Sequence, residues 1–235
     1  MAGAILGPRW KGSIRVDFGS LARLLALVAA SYLAGSIPIG VLVARVTGGP
    51  DPRTVGSGRT GGTNALRALG RGRAAVVVAG DLAKGSLPVL VARIVTGGDA
   101  FSEVLCGAAA VAGAIWSIFA GFRSGRGVGT GVGTMLVIQP IAVLLAAPIF
   151  IGVIVLTRYV SLGSLLGSAA MFPATLLIWA VASGAVAPAY LAWALVGPAL
   201  IWLAHADNID RLLHGQERKF DLALLTRDDE GRHGT

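Results

Sequence analysis

The chain has 235 residues, of which 54% are hydrophobic and only 14% charged, and its mean hydropathy is +0.74. A soluble domain carries roughly a quarter of its residues as charges, so too few polar side chains are present to cover a water-facing surface. Composition therefore excludes an ordinary soluble protein and points to helices in lipid, which need apolar runs of about 20 residues with internally paired backbone groups. The net charge of +8 fits either orientation signals or an anionic substrate. The single cysteine, Cys106, excludes an internal disulfide and a Cys-based metal cluster, and its apolar setting reads as packing.

In chain order, residues 1–20 form a mixed, basic N-terminal tail. The charged start followed by Leu24–Gly35 has the look of a signal peptide. However, the apolar run continues through Ile37–Val46, too long for such a segment, and predicts an uncleaved span over 21–46. Further runs lie at 74–96, 101–121, 128–158, 160–183 and 188–204, closing a transmembrane domain over 21–204. The stretches 47–73, 122–127 and the C-terminal tail 205–235 are rich in Arg, whereas 97–103 is short and acidic. The positive-inside tendency puts the three Arg-rich stretches in the cytoplasm, which requires an even number of crossings between 128 and 204. Pro140 divides the longest run into a short helix at 128–139 and a full one at 140–158, because proline removes a helix hydrogen bond. The expectation is an all-α integral membrane protein with about seven transmembrane helices, N-terminus outside and C-terminus cytoplasmic. Against it stand the brevity of the helix before Pro140 and four cations, Arg9, Lys11, Arg15 and Arg23, on the disfavoured side. There is no internal repeat of the kind that marks inverted transporter halves.

Three polar clusters carry the chemistry. In GSGRTGGTNALR, Gly56 to Arg67, glycines let consecutive N–H groups converge on an anion, and Asn64 is a plausible N-cap for a short helix carrying Arg67. The stretch lacks the ending of a Walker loop, and a flexible loop with orientation-setting arginines explains it equally well. In FRSGRGVGTGVGT, Phe122 to Thr134, Arg123 and Arg126 stand before glycines that open a membrane helix. Arg offers a planar fork of donors to phosphate oxygens, although both arginines would also serve as ordinary flank charges. In HADNIDRLLHGQE, His205 to Glu217, His205 and Asn208 share a helical face. The histidine there suits a general base or a phosphate donor, or simply a membrane boundary.

Asp81 and Lys84, one turn apart inside an apolar run, read as an ion pair that orders the helices. Arg45 and Arg93, at span ends, read as snorkelling side chains. Span interiors hold almost no other charge, which disfavours an anion transporter.

Taken in order, YLAGSIPIGVLVAR (32–45), GSGRTGGTNALRALG (56–70), GDLAKGSLPVL (80–90), GFRSGRGVGTG (121–131), TRYVSLGSLL (157–166) and HADNIDRLLHGQE (205–217) resemble the bacterial acyl-phosphate:glycerol-3-phosphate acyltransferase family. The resemblance implies a seven-helix enzyme of the cytoplasmic membrane, with its active site facing the cytoplasm. It would move an acyl group from acyl phosphate to the 1-hydroxyl of glycerol 3-phosphate, giving lysophosphatidate and phosphate. Its partners would be those two substrates and membrane lipids, with no nucleic acid, metal, nucleotide or other cofactor. The candidate catalytic residues are then His205, Asn208, Ser57 and Arg67. Gly56, Gly58, Thr63, Asn64, Arg123, Gly125, Arg126, Gly127 and Glu217 are the candidates for substrate and phosphate binding. The chain departs from the usual family pattern at Arg59, where Asn is common, and at Arg123, Ser124 and Arg126, within a motif that typically reads Lys-Gly-Gly-Lys-Gly. Ala114 stands where His is usual, and Ala204 and Ala206 flank His205. The alternatives are a paralogue acylating another acceptor, and a transporter or lipid-binding protein without chemistry.

Overall fold

The computed structural model describes residues 18–182 and 186–225. The expected tail segments before Phe18, with Arg9, Lys11 and Arg15, and beyond Leu225 lie outside the described residues. Among the described residues, eleven α-helices follow one another: α1 Phe18–Ser36, α2 Ile39–Val46, α3 Gly62–Leu69, α4 Arg71–Thr96, α5 Ala100–Ile115, α6 Val128–Ile138, α7 Pro140–Thr157, α8 Val160–Ala169, α9 Met171–Val181, α10 Pro188–Ala204 and α11 Ala206–Leu213.

Five segments of the described residues are long and apolar enough to cross a membrane: α1, α4, Ala100–Ala120, α7, and α8 with α9. A sixth arises if α10 and α11, bent by 67°, count as one. Helix α6, with 11 residues, extends about 16 Å, roughly half of a bilayer's hydrocarbon core. The bundle is inside-out in the manner lipid requires. Leu156 is 85% exposed, Ile94 79% and Val181 77%, while the packed interior holds small and medium residues such as Ala110, Ala142 and Val89. Close approach depends on glycine. A Cβ on Gly113 would strike the Tyr32 carbonyl of α1, and one on Gly133 would strike the Leu82 carbonyl of α4. The α1–α5 and α4–α6 contacts are therefore backbone against backbone, the packing that small residues give membrane helices.

The single span expected over 21–46 is corrected to two helices, α1 and α2, with a break at Ile37 and Pro38. Proline disfavours helix at the preceding residue and has no N–H to give. The freed carbonyls are taken up by side chains. Lys84 Nζ donates to Ile37 O at 3.2 Å, and Ser117 Oγ donates to Ser36 O. Lys84 also lies 3.0 Å from Asp81, so the expected ion pair exists and additionally pins the break. The Pro140 break stands where expected, between α6 and α7.

Arg93 does not snorkel. Its Nε and Nη2 donate to the two carboxylate oxygens of Glu103 at 2.9 and 2.7 Å, and Nη2 also donates to Val137 O at 3.0 Å. Tyr190 Oη donates to the same carboxylate at 2.9 Å. Val137 is a carbonyl at the end of α6, so this cluster ties α4, α5 and α10 to the helix break.

Candidate active site

At one end of the bundle the three Arg-rich stretches meet. Thr60 and Ser124 hydroxyls lie 2.9 Å apart, Arg126 Nη2 is 3.2 Å from Asp207, and Arg218 Nη1 donates to Gly56 O. Together they enclose a cavity of about 390 Å³. Among the described residues, six cations line it, Arg59, Arg67, Lys84, Arg126, Arg211 and Arg218, against the carboxylates Asp81, Asp207 and Glu217.

The first loop is built around Asn64. Its Oδ1 accepts from Ser57 N at 3.0 Å, and its Nδ2 donates to the carbonyls of Pro52, Val55 and Arg59 at 2.6, 3.0 and 2.8 Å. The expected N-cap role is therefore corrected. Gly61 caps α3, and Asn64 lies inside the helix with its side chain spent on holding the loop. Gly56 and Gly58 have φ of +59° and +68°, a region side chains disfavour, and a Cβ on Gly56 would strike Asn64 Oδ1. These two glycines shape the loop, while Ser57, Thr63, Asn64 and Arg67 line the cavity.

In the second loop, Gly125 N donates to Ala114 O at 3.0 Å, and Gly127 has φ of +75°. Gly125, Arg126 and Gly127 line the cavity. Arg123 does not; it is exposed on the turn before it. Ala114, the residue in the place of a family histidine, is buried and also lines the cavity.

The third cluster forms as α10 ends and the chain turns into α11. His205 is 2% exposed, and its Nδ1 lies 2.8 Å from Ile201 O. A carbonyl oxygen only accepts, so Nδ1 carries the hydrogen, and Nε2 of the neutral ring keeps its lone pair. Glu217, 7% exposed in its side chain, accepts from Ser161 Oγ at 2.9 Å, from Asn208 Nδ2 at 2.7 Å and from Arg211 Nε at 2.9 Å. It is an anchor for its neighbours, and it leaves Asn208 Oδ1 buried without a partner among the described residues.

The electrostatics favour an anion. Burial lowers Arg126 from its ordinary value, with Asp207 opposing the shift and Arg59 adding to it. Burial and the neighbouring Arg218 likewise lower Arg67. Arginine does not lose its proton in proteins, so these shifts register cations held away from water, with neighbouring charges adding smaller effects of either sign. Among the described residues, no group of three or more His, Cys, Asp or Glu stands together to hold a metal ion. Arg59, which the sequence adds as a cation to the first loop, lines the cavity, and sequence reasoning missed Ser161, Asp207, Arg211 and Arg218. Ser161 and Arg211 lay inside the quoted motifs, so a pairing with Glu217 was the available signal.

A second cavity of about 210 Å³ adjoins the first and shares Val128, Val132, Phe150 and Ser164 with it. Its other walls include Met135, Val143, Met171 and Trp193.

Fold and site thus define a many-helix membrane protein with an arginine-lined cavity against an apolar one. The family model for glycerol-3-phosphate acyltransferase matches residues 25–215. Glycerol-3-phosphate acyltransferase 3 of Dehalococcoides mccartyi is 42% identical over 212 residues, covering 86% of this chain and 97% of that one. The glycerol-3-phosphate acyltransferase of Thermus thermophilus is 44% identical over 199 residues, covering 80% and 91%. The crystal structure of PlsY (YgiH), an integral membrane glycerol 3-phosphate acyltransferase, in its glycerol 3-phosphate form superposes with a TM-score of 0.78 at 34% identity, covering 88% of this chain and 100% of that one. The chain belongs to the glycerol-3-phosphate acyltransferase family.

Proposed function

We propose that this chain moves an acyl group from acyl phosphate to the 1-hydroxyl of sn-glycerol 3-phosphate, releasing lysophosphatidate and phosphate on the cytoplasmic side of the cell membrane. Solved forms of PlsY hold glycerol 3-phosphate and lysophosphatidic acid, a substrate and product that fit such a transfer. The observation that carries the donor assignment is the junction of the two cavities at Val128, Val132, Phe150 and Ser164. A phosphate belongs among the arginines and a hydrocarbon chain in the apolar cavity, so the carbonyl between them falls at the junction.

Arg67 and Arg126 bind phosphate oxygens, and the backbone N–H groups of the glycine-rich loops add donors. The unpartnered Oδ1 of Asn208 accepts from a glycerol hydroxyl, and Glu217 fixes its orientation. The 1-hydroxyl attacks the acyl carbonyl, its proton passes to Nε2 of His205, and the carbonyl carbon–phosphate oxygen bond breaks as phosphate leaves with the bonding pair. Acyl phosphate is already activated, so alignment and charge neutralisation supply most of the acceleration.

Purified protein given palmitoyl phosphate should release phosphate only when glycerol 3-phosphate is added. Equal turnover with acyl coenzyme A would refute the donor assignment, and turnover only with another acceptor would indicate a paralogue.

A further inference from the structure

Asp207 is the anion at the mouth of the cationic cavity. Arginines from three segments surround it: Arg126 of the second loop at 3.2 Å, Arg211 one turn along α11 at 3.6 Å, and Arg59 of the first loop at 3.8 Å. These contacts differ in kind from the Arg93–Glu103 pair. Glu103 receives a two-pronged grip from Arg93 at 2.9 and 2.7 Å and is 1% exposed in its side chain. Asp207 meets Arg126 through Nη2 alone, at 3.2 and 3.4 Å to its two oxygens, and its side chain is 43% exposed. Arg126 Nε, on the same edge of the guanidinium, is buried without a partner among the described residues. The carboxylate is therefore held by half a fork and remains partly hydrated.

A phosphate taking both Nε and Nη2 of Arg126, the geometry a guanidinium favours, brings a second anion onto Nη2 and so competes there with Asp207. We propose that Asp207 is a resident counter-anion: it occupies the site arginines until substrate phosphate displaces it, and it returns to weaken the hold on product phosphate. The proposal rests on the reading of the cavity as a phosphate site. Five of the six lining cations are arginines, which would otherwise bind a small dianion tightly and release it slowly. A negative charge competing for the same donors shifts that balance toward release.

The test measures inorganic phosphate and glycerol 3-phosphate binding by calorimetry on the detergent-purified chain, without acyl donor. Asp207→Asn, Asp207→Ser, Asp207→Glu and the control Asp210→Asn are compared with the parent. Asp210 is on the same helix but 73% exposed in its side chain. Asp207→Asn and Asp207→Ser should each bind phosphate about fivefold more tightly, the order expected of one removed charge at a half-exposed site. Phosphate inhibition of turnover should strengthen by the same factor, KM for glycerol 3-phosphate should fall, and kcat should not rise. Asp207→Glu should restore the parent values, and Asp210→Asn should match them. Two charge-free variants guard against one that fails to fold. Unchanged or weaker phosphate binding in the folded variants overturns the proposal, because Asp207 would then only organise the arginines. A parent chain that binds no phosphate overturns it together with the functional reading, whereas a parent that binds phosphate and turns over isolates a failure to Asp207.

Discussion

Arg126 illustrates how a residue acquires a role from its neighbours. The positive φ of Gly127 (+75°) and the bond from Gly125 N to Ala114 O bend the chain so that the guanidinium points into the cavity. Arg123, three residues earlier, is left on the surface. The two arginines look alike in sequence because spacing does not tell which side of a turn faces inward. Asp207 was not legible either, since its meaning depends on arginines 81 and 148 positions away in sequence. Changing Arg126 to Ala removes a charge-assisted donor worth roughly 1.5–3 kcal/mol, and roughly 1.4 kcal/mol is tenfold in rate. Arg126→Ala should therefore lose at least about tenfold in kcat/KM with expression little changed, and Arg126→Lys should recover part of it. Arg23→Ala, an equal charge loss at an exposed position of α1, should be nearly silent. Equal behaviour of the two alanine variants would show that the second loop only orients the protein.

At the scale of helices, hydropathy located the spans well but read breaks poorly. Pro140 interrupts α6 and α7, and Pro38 interrupts α1 and α2, yet Pro88, Pro148 and Pro198 lie inside continuous helices. Proline alone does not decide. At Pro38 the released carbonyls find Lys84 and Ser117, and at the α6 end Val137 O finds Arg93. Those partners come from helices distant in sequence, which is why the first break was not foreseen. The Arg93–Glu103 pair can be tested apart from catalysis, since Arg93 lies about 13 Å along α4 from Lys84. Glu103 is buried but the Arg93 side chain is 39% exposed, so removing Arg93 strands a buried carboxylate at a cost below the about 3–5 kcal/mol of a fully buried pair, while replacing both with apolar groups is often neutral. In detergent, Arg93→Met should lower the thermal midpoint markedly, and Arg93→Met with Glu103→Leu should recover most of the loss. A double variant no better than the single would mean that Tyr190 and Val137, rather than charge pairing, set the strength of the cluster.

For the whole molecule, the proposal that the site faces the cytoplasm rests on chain direction and charge together. The contacts Thr60–Ser124, Arg126–Asp207 and Arg218–Gly56 bring the three Arg-rich stretches to one end of the bundle. Parity in the sequence groups the first two stretches, because two spans, α4 and α5, separate them, and only its cations join the C-terminal stretch to them. The acidic turn at 97–99 stands at the other end of α4, 26 residues long and thus about 39 Å, enough to cross. Cations favour the cytoplasmic face by virtue of the positive-inside tendency, and a water-soluble phosphorylated acceptor would reach the site from there. Single cysteines introduced at the exposed positions Arg53, Arg123 and Gly215 should then react with a membrane-impermeant thiol reagent only when the cytoplasmic face is open. A cysteine at exposed Gly98 should react in intact cells. Native Cys106 is fully buried and should contribute little background. The three positions at the site's end of the bundle report a different property from Gly98: all three reacting from outside would invert the bundle while leaving its fold intact. Positions 53 and 215 reacting from opposite faces would instead break the grouping itself, since Arg218 could then no longer reach Gly56.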